Sequence, residues 1–587
     1  MAVMFGTNRQ YNLERLPFSV ESSFMSIYQN IVDKQLYLSV CRSEGGVHER
    51  PNLLRLAPVF EDREISFTYY CDEAKLTLET KSGTVEITYE QPDIMRIRVN
   101  GVGLRIFVTP NMHEAGAERI DGEILIGFNI IGKLLFKKIS GRMVNNAKWD
   151  FINVCPFPFE IDILPSCDGG AGEAAIHELY SNGMAKDEYL PFDAAYAQTK
   201  ASFEEFFSSY PPVAPAYKEM ARKAAWIVWQ SKLGPRGDLK KPLIYMHKLF
   251  FVRAFGWQQN FHAIAMKNNP RLAWDIMTSF FEYQNDKGGL PDGISDLGQE
   301  VWRSTKPPIF GFATCYMLDN FDLSVITRED YADWYAKLSK YYDWWFIYHD
   351  HTKTGYPAYY HVDESGYDES TIFNRGLPLH SPDLLANMVL HCEALSRLAG
   401  LLGLVAESVK WMSESRRVLR YLTDELWDGE QFRARILSTG ELYKCGSIVQ
   451  LQPAVLGSRL PKKILRKLSE RLCDESEFLT DFGIATENLK SDKLVMKAFT
   501  RGAVVAPTQL LLLEGLREGG ETEAAEIIAT RYLNALQSQG LALGIHSYRV
   551  EPVSGEEIKP NNTPMSVNFP FSAWVASIFM LLASHAP

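Results

Sequence analysis

Residues 355–375 read GYPAYYHVDESGYDESTIFNR. Helical periodicity flanks this stretch on both sides, and it is too long for a tight turn, which marks it as a functional loop. Tyr360, His361, Asp363, Glu364, Tyr367, Asp368 and Glu369 crowd into it. Breaking a glycosidic bond needs a carboxylic acid to protonate the leaving oxygen, beside aromatic faces that exclude water and stack on the ring. The loop supplies both kinds of group. The competing reading is a surface loop whose acids are merely solvated.

Composition sets the frame around the loop. A chain of 587 residues, 46% hydrophobic and 23% charged, buries a large core and is expected to form two or more domains. A net charge of −11 without a long Lys/Arg run disfavours nucleic acid and other polyanions as partners. The 12% aromatic content suits sugar stacking and a helical core equally. Eight cysteines without C-x-x-C spacing or neighbouring histidines indicate free thiols, with neither a zinc site nor a disulfide framework. The first residues lack a charged start followed by an apolar run, and the apolar stretch 573–583 is too short to span a bilayer. The expectation is a cytoplasmic protein with no membrane partner.

Along the chain the pattern changes once. Up to about residue 208, short alternating runs at 75–80, 83–89, 95–99 and 104–108 read as period-two strands at the spacing of a β-sandwich, and 124–138 and 150–164 continue them. Helical periodicity over 193–209 leads into Tyr210-Pro-Pro-Val-Ala-Pro, so the expected boundary separates domains 1–210 and 211–587. Beyond it, periodicity predicts helices near 216–233, 260–267, 270–285, 307–320, 328–349, 382–401, 404–426, 449–456, 461–474, 507–518, 521–538 and 568–583, with no persuasive strand. About twelve helices suggest six hairpins closed into an (α/α)6 toroid following the N-terminal β-sandwich, and a plain α-solenoid is the alternative.

Several segments besides E-S-G-Y-D stand out. Phe255-Gly-Trp257-Gln258-Gln259-Asn-Phe261-His262-Ala-Ile-Ala, Gly289-Leu-Pro-Asp292 and Trp302-Arg-Ser-Thr-Lys306-Pro-Pro precede the loop, and Trp344-Trp345 with His349 and Asp350 leads into it. Phe499-Thr500-Arg501-Gly502, His546-Ser-Tyr548-Arg549-Val550-Glu551-Pro-Val-Ser-Gly and Phe569-Pro-Phe-Ser-Ala-Trp574 follow. In this order they resemble glycoside hydrolase family 63 and its relatives, which include processing α-glucosidases and mannosylglycerate and glucosylglycerate hydrolases. The resemblance covers roughly 216–583. It implies a general acid at Asp368 and a general base from the C-terminal block. There the family's Glu falls on Tyr548, and Glu551, Glu556 and Glu557 compete, with Glu551 preferred beside its proline.

The resemblance also implies a sugar pocket from Trp257, Gln258, Asp292, Trp302, Lys306, Glu364, Tyr367 and Arg501. Three departures bear on specificity. Gln258 stands where an Asp contacts the sugar, Thr500 replaces a Trp, and Ala503-Val504-Val505 replaces P-V-W. Lys306, aimed by paired prolines, suits an acidic aglycone such as a glycerate. The bland readings are a core aromatic for Trp257, a snorkelling cation for Lys306 and a structural ion pair for Arg501. His349 and His351 lack a third ligand nearby, so no metal is expected.

The expected function is therefore an inverting hydrolase of an α-linked oligosaccharide or a glycosyl glycerate, working without a cofactor on a small carbohydrate. A phosphorolytic enzyme on a similar barrel, with Lys306 or Arg501 holding phosphate, and a carbohydrate-binding protein that has lost its base remain as alternatives. A homo-oligomer stays open.

Overall fold

The computed structural model describes residues 11–14, 16–40, 42, 52–111, 114–118, 122–129, 131–147, 149–150, 155–179, 185–248, 252–298, 300–495, 498, 500–538, 549–550 and 573–586. Two antiparallel sheets account for the first part. One runs in the order Met25–Gln29, Leu36–Val40, Leu54–Phe60, Gly103–Val108, Phe159–Leu164 and Arg142–Asn145, with Arg63–Glu64 hooked onto Leu54–Phe60. The other runs Ala115–Glu118, Ile124–Phe128, Gly132–Ser140, Gly172–Leu179, Ile94–Asn100, Thr84–Gln91, Lys75–Glu79 and Thr68–Cys71.

Period-two patterning explains the first sheet. In Phe159–Leu164 buried and half-buried positions alternate, as expected for a strand with one face on the core. The second sheet breaks the rule in Thr84–Gln91 and Ile94–Asn100, where most residues are buried. Helix α1 (Phe192–Phe207) packs on Thr84–Gln91, and Thr199 Oγ1 donates to the Tyr89 carbonyl at 2.7 Å. Covering the outer face buries Glu90 and Arg96, and they survive there by pairing, Arg96 Nη2 with Glu173 at 2.6 Å and Nη1 with Glu90.

The remainder is helical: α2 (Lys218–Ser231), α3 (Gly256–Ala265), α4 (Pro270–Thr278), α5 (Phe310–Asn320), α6 (Arg328–Tyr348), α7 (Pro382–Leu401), α8 (Val405–Glu425), α9 (Lys462–Leu472), α10 (Ala506–Glu518), α11 (Thr522–Ser538) and α12 (Ala573–Ser584). The stretch expected as a helix over 449–456 is instead 3-10, Ile448–Gln450 and Gln452–Arg459, because Pro453 and the left-handed Gly457 (φ +53°) interrupt a regular α-turn ladder. Contacts run from α3 to α5, α5 to α7, α7 to Gln452–Arg459, on to α10, α10 to α12 and α12 back to α3. Helices α4, α8 and α11 pack on α3, α7 and α10 respectively.

Strands do occur beyond residue 215, contrary to the sequence expectation. Leu379–His380, Ala434–Ile436 and Leu442–Tyr443 form one small sheet, and Ala254–Phe255 pairs with Gly293–Ile294. Runs of two or three residues carry no readable period. Among the described residues no helix is long and apolar enough to cross a membrane. The first turn of α3 carries Trp257, and the segments entering α5, α7 and α10 carry Lys306, Asp368 and Arg501.

Candidate active site

The loop before α7 is pinned from within. Glu364 caps the 3-10 turn Val362–Ser365, with Oε2 accepting from the amides of Tyr360 (2.8 Å) and His361 (3.2 Å) and Oε1 facing His349 Nε2 at 3.1 Å. The Tyr367 hydroxyl is buried against Gln452 Oε1 (3.1 Å) and Thr508 Oγ1 (2.8 Å). The sequence reading assigns both residues to the substrate. Their polar groups are engaged by the protein, which gives both a supporting role in the loop. Beneath them the Tyr359 hydroxyl donates to Asp383 at 2.7 Å, and burial pushes the Asp383 carboxyl up to about 6.

Asp368 follows directly from this scaffold. Gly366 takes a left-handed φ of +72° and lies on the Trp257 ring, which turns the chain so that Asp368 comes next but one. Its Oδ1 is buried and meets no partner among the described residues. Burial raises its carboxyl above the ordinary range, Lys306 pulls it back, and Asp363 raises it further. A carboxyl with raised proton affinity and an open oxygen is suited to donate a proton.

Asp292 is the second carboxyl at this place. It is buried, its Oδ1 is unpartnered among the described residues, and burial raises it, with Lys306 opposing and Asp368 adding to the rise. Lys306 thus acts on both acids. Its ammonium donates to the Asp363 backbone carbonyl, its own carbonyl accepts from the Tyr341 hydroxyl at 3.1 Å, and Arg303 Nη2 pairs with Asp363 at 2.6 Å. Trp257, Asp292, Thr305, Lys306 and Tyr341 line a recess of about 10 Å3, room for about one water.

Trp257 packs on Trp574 with ring centroids 5.5 Å apart, so the tryptophans of α3 and α12 meet at the site. Gln258 is buried with Nε2 only 3.6 Å from Met246 Sδ and Oε1 unpartnered among the described residues. Gln259, its neighbour, clamps the Ile244 amide and carbonyl at 2.9 Å each. Trp302 is not brought in. It is 46% exposed and its Nε1 donates to Glu300 at 2.8 Å.

Arg501 reaches the loop from the segment before α10. Its Nε donates to the Glu369 carbonyl at 2.8 Å and Nη2 to Asn374 Oδ1 at 3.1 Å, while Thr500 Oγ1 accepts from the Glu369 amide at 2.8 Å. Where the family has a tryptophan, Thr500 therefore anchors the residue after Asp368. A carboxylate that sequence reasoning passed over, Glu487, is buried beside them, held by Thr371 Oγ1 (2.8 Å) and Ser491 Oγ (2.7 Å), and raised by burial. It directly follows Gly483-Ile-Ala-Thr486. Glu551, Glu556 and Glu557 lie outside the described residues. The backbone just before them is described: Val550 pairs with Val504 and Arg549 with Val505, beside the Arg501 segment.

An ion network whose Arg42, Glu178 and Asp296 are buried backs the Asp292 turn. Asp296 accepts from the Tyr245 hydroxyl at 3.0 Å and stands 3.5 Å from Arg42 Nε. Arg42 Nη2 in turn meets Glu178 at 3.1 Å, and Arg236 meets the other Glu178 oxygen at 2.7 Å. Nothing in the local pattern of the sequence points to these long-range partners. Among the described residues no three His, Cys, Asp or Glu side chains gather as metal ligands would.

Against known proteins, residues 253–562, more than half of the chain, match the family described as the mannosylglycerate hydrolase MGH1-like glycoside hydrolase domain. Among solved structures the chain is similar to the GH63 mannosylglycerate hydrolase from Thermus thermophilus in complex with Tris and D-glycerate, at 17% identity and TM-score 0.51, over 62% of this chain and 99% of that one. The same enzyme in complex with glucose matches at 17% identity and TM-score 0.51, over 61% and 98%. A bacterial glucoamylase complexed with acarbose matches over 99% of this chain and 94% of its own at 10% identity and TM-score 0.60. At such identities the likeness is one of fold. No curated protein matches.

Proposed function

The chain belongs to the MGH1-like glycoside hydrolase family, and from that premise we propose that it hydrolyses the glycosidic bond of a small α-linked oligosaccharide or glycosyl glycerate with inversion. The observation that carries this reading is Asp368, a buried carboxyl with an open oxygen and a raised proton affinity, near Lys306 and on a loop whose Gly366 meets Trp257 and whose Glu369 carbonyl accepts from Arg501. Asp368 gives its proton to the glycosidic oxygen as the C1–O bond breaks. A carboxylate on the opposite face, about 6.5–9.5 Å away, takes a proton from the attacking water. Glu551 fills that role. The support is that Val550, which precedes it, is paired beside the Arg501 segment that touches Glu369.

Asp292, Gln258 and Trp257 hold the sugar, with open oxygens on the first two awaiting hydroxyl donors. Lys306 meets the acidic end of a glycosyl glycerate and Arg501 fixes the acid loop. The contacts from α3 around to α12 and back support closure of the inner helices into an (α/α)6 toroid, with 1–210 as a β-sandwich domain and 211–587 as the catalytic one. Action on a small soluble sugar suits a cytoplasmic enzyme.

Sugar release from α-linked disaccharides and from mannosyl- and glucosylglycerate, with the product anomer followed by NMR, tests the reading. Inverted product without added phosphate is expected. Retained configuration, or release only with phosphate, would overturn it.

A further inference from the structure

A cavity of about 440 Å3 opens between the C-terminal halves of α5 and α10, within the ~300–1,000 Å3 of small-molecule pockets. Asp319 on its rim stands about 14 Å along α5 from Phe310, at ~1.5 Å per residue. Since α5 and α10 start from the Lys306 and Arg501 segments, the cavity lies at the other end of these helices from Asp368.

Its floor is apolar, formed by the buried Phe312, Leu390 and Val455. Tyr316 stands as an aromatic wall 6.1 Å from Phe312, and its hydroxyl makes no hydrogen bond among the described residues. The rim is rigidly charged. Arg459 Nη2 donates to Glu393 at 2.7 Å, Glu518 accepts from Ser458 Oγ at 2.6 Å, and Arg517 Nη1 donates to Glu514 at 3.0 Å.

Each of these cations already has its carboxylate, so the rim carries little uncompensated charge to attract an ionic ligand. A neutral polar ligand needs no net charge there. A guanidinium has five donors and a carboxylate about four acceptor sites, so the paired groups keep capacity for hydroxyls. Fixed planar donors and acceptors above an apolar floor, with an aromatic face alongside, match a pyranose, which is apolar on its C–H face and polar at its edge.

We propose that this cavity is a second sugar-binding site, taking a neutral mono- or disaccharide. It is independent of the chemistry assigned to Asp368. Calorimetric titration of the full chain with methyl α-D-glucoside, methyl α-D-mannoside and sodium phosphate tests it, using Tyr316→Ala and the cavity-filling Val455→Phe. The expected result is a sugar-binding component that persists in Trp257→Ala, weakens by about tenfold or more in Tyr316→Ala and is lost in Val455→Phe. Turnover in the last two variants should stay near that of the wild type. Sugar isotherms unchanged in both variants, or binding of phosphate rather than sugar at this place, would overturn the proposal. A chain that proves not to hydrolyse glycosides leaves these titrations equally decisive, and two variants guard against one that fails to fold.

Discussion

Gly366 lies against the indole of Trp257, so that a Cβ there would sit 3.2 Å from Cη2 and 3.3 Å from Cζ3. The left-handed φ of +72° penalises any L side chain by roughly 1–2 kcal/mol, and the ring is itself fixed by Trp574. Gly366→Ala should therefore lower stability by about that amount. Because it displaces Asp368, it should also lower kcat/KM by roughly ten- to a hundredfold. Thermal melts and initial rates check both halves.

Lys306 holds down the proton affinity that burial gives Asp368, whereas Asp363 raises it. A general acid works only while protonated, so activity falls as pH rises through its pKa. Lys306→Met should move the basic limb of the kcat/KM profile to higher pH, and Asp363→Asn should move it to lower pH. Lys306→Met should also raise KM more for mannosylglycerate than for a neutral disaccharide. Limbs that do not move, or move together, would show that neither group acts on the acid.

Tyr367→Phe separates support from contact. Its hydroxyl is spent on Gln452 and Thr508, so the variant should lose about 1 kcal/mol of stability while KM and kcat stay near the wild type. A selective rise in KM, measured with an unchanged melting temperature, would return Tyr367 to the substrate.

The loop, the period-two strands and most helices are legible because local periodicity and turn chemistry encode them. The 3-10 stretch Gln452–Arg459 is not, since its apolar spacing is helical and only Pro453 and Gly457 reveal the kink. Asp368 is singled out by the resemblance, as the position matching the family's general acid, since Asp363, Glu364 and Glu369 beside it are equally acidic by type. Glu364 and Tyr367 look alike from sequence, yet their partners, His349, Gln452 and Thr508, arrive from other segments. Residue type shows that a polar group needs a partner, not whether protein or ligand provides it. Trp302 points to Glu300 and solvent, a direction that its motif position does not dictate.

The Arg42 network extends this to the β half. Removing one member of a buried ion pair strands its partner at a cost of roughly 3–5 kcal/mol. Arg42→Met should destabilise the protein on that scale in urea titrations. Asp296→Asn, which keeps the Tyr245 contact, should cost less but raise KM by loosening the turn that carries Asp292. A KM unaffected by Asp296→Asn would confine the network to stability.

Asp368→Asn, assayed on two substrates that differ only in leaving group, bears most directly on the proposed acid. With a poor leaving group such as a sugar alcohol, turnover should fall by at least about a hundredfold, the scale of lost general-acid catalysis. With an activated aryl glycoside, which needs no proton, most of the activity should remain. Equal loss on both substrates, in a variant that still folds, would contradict the assignment of Asp368 as the proton donor.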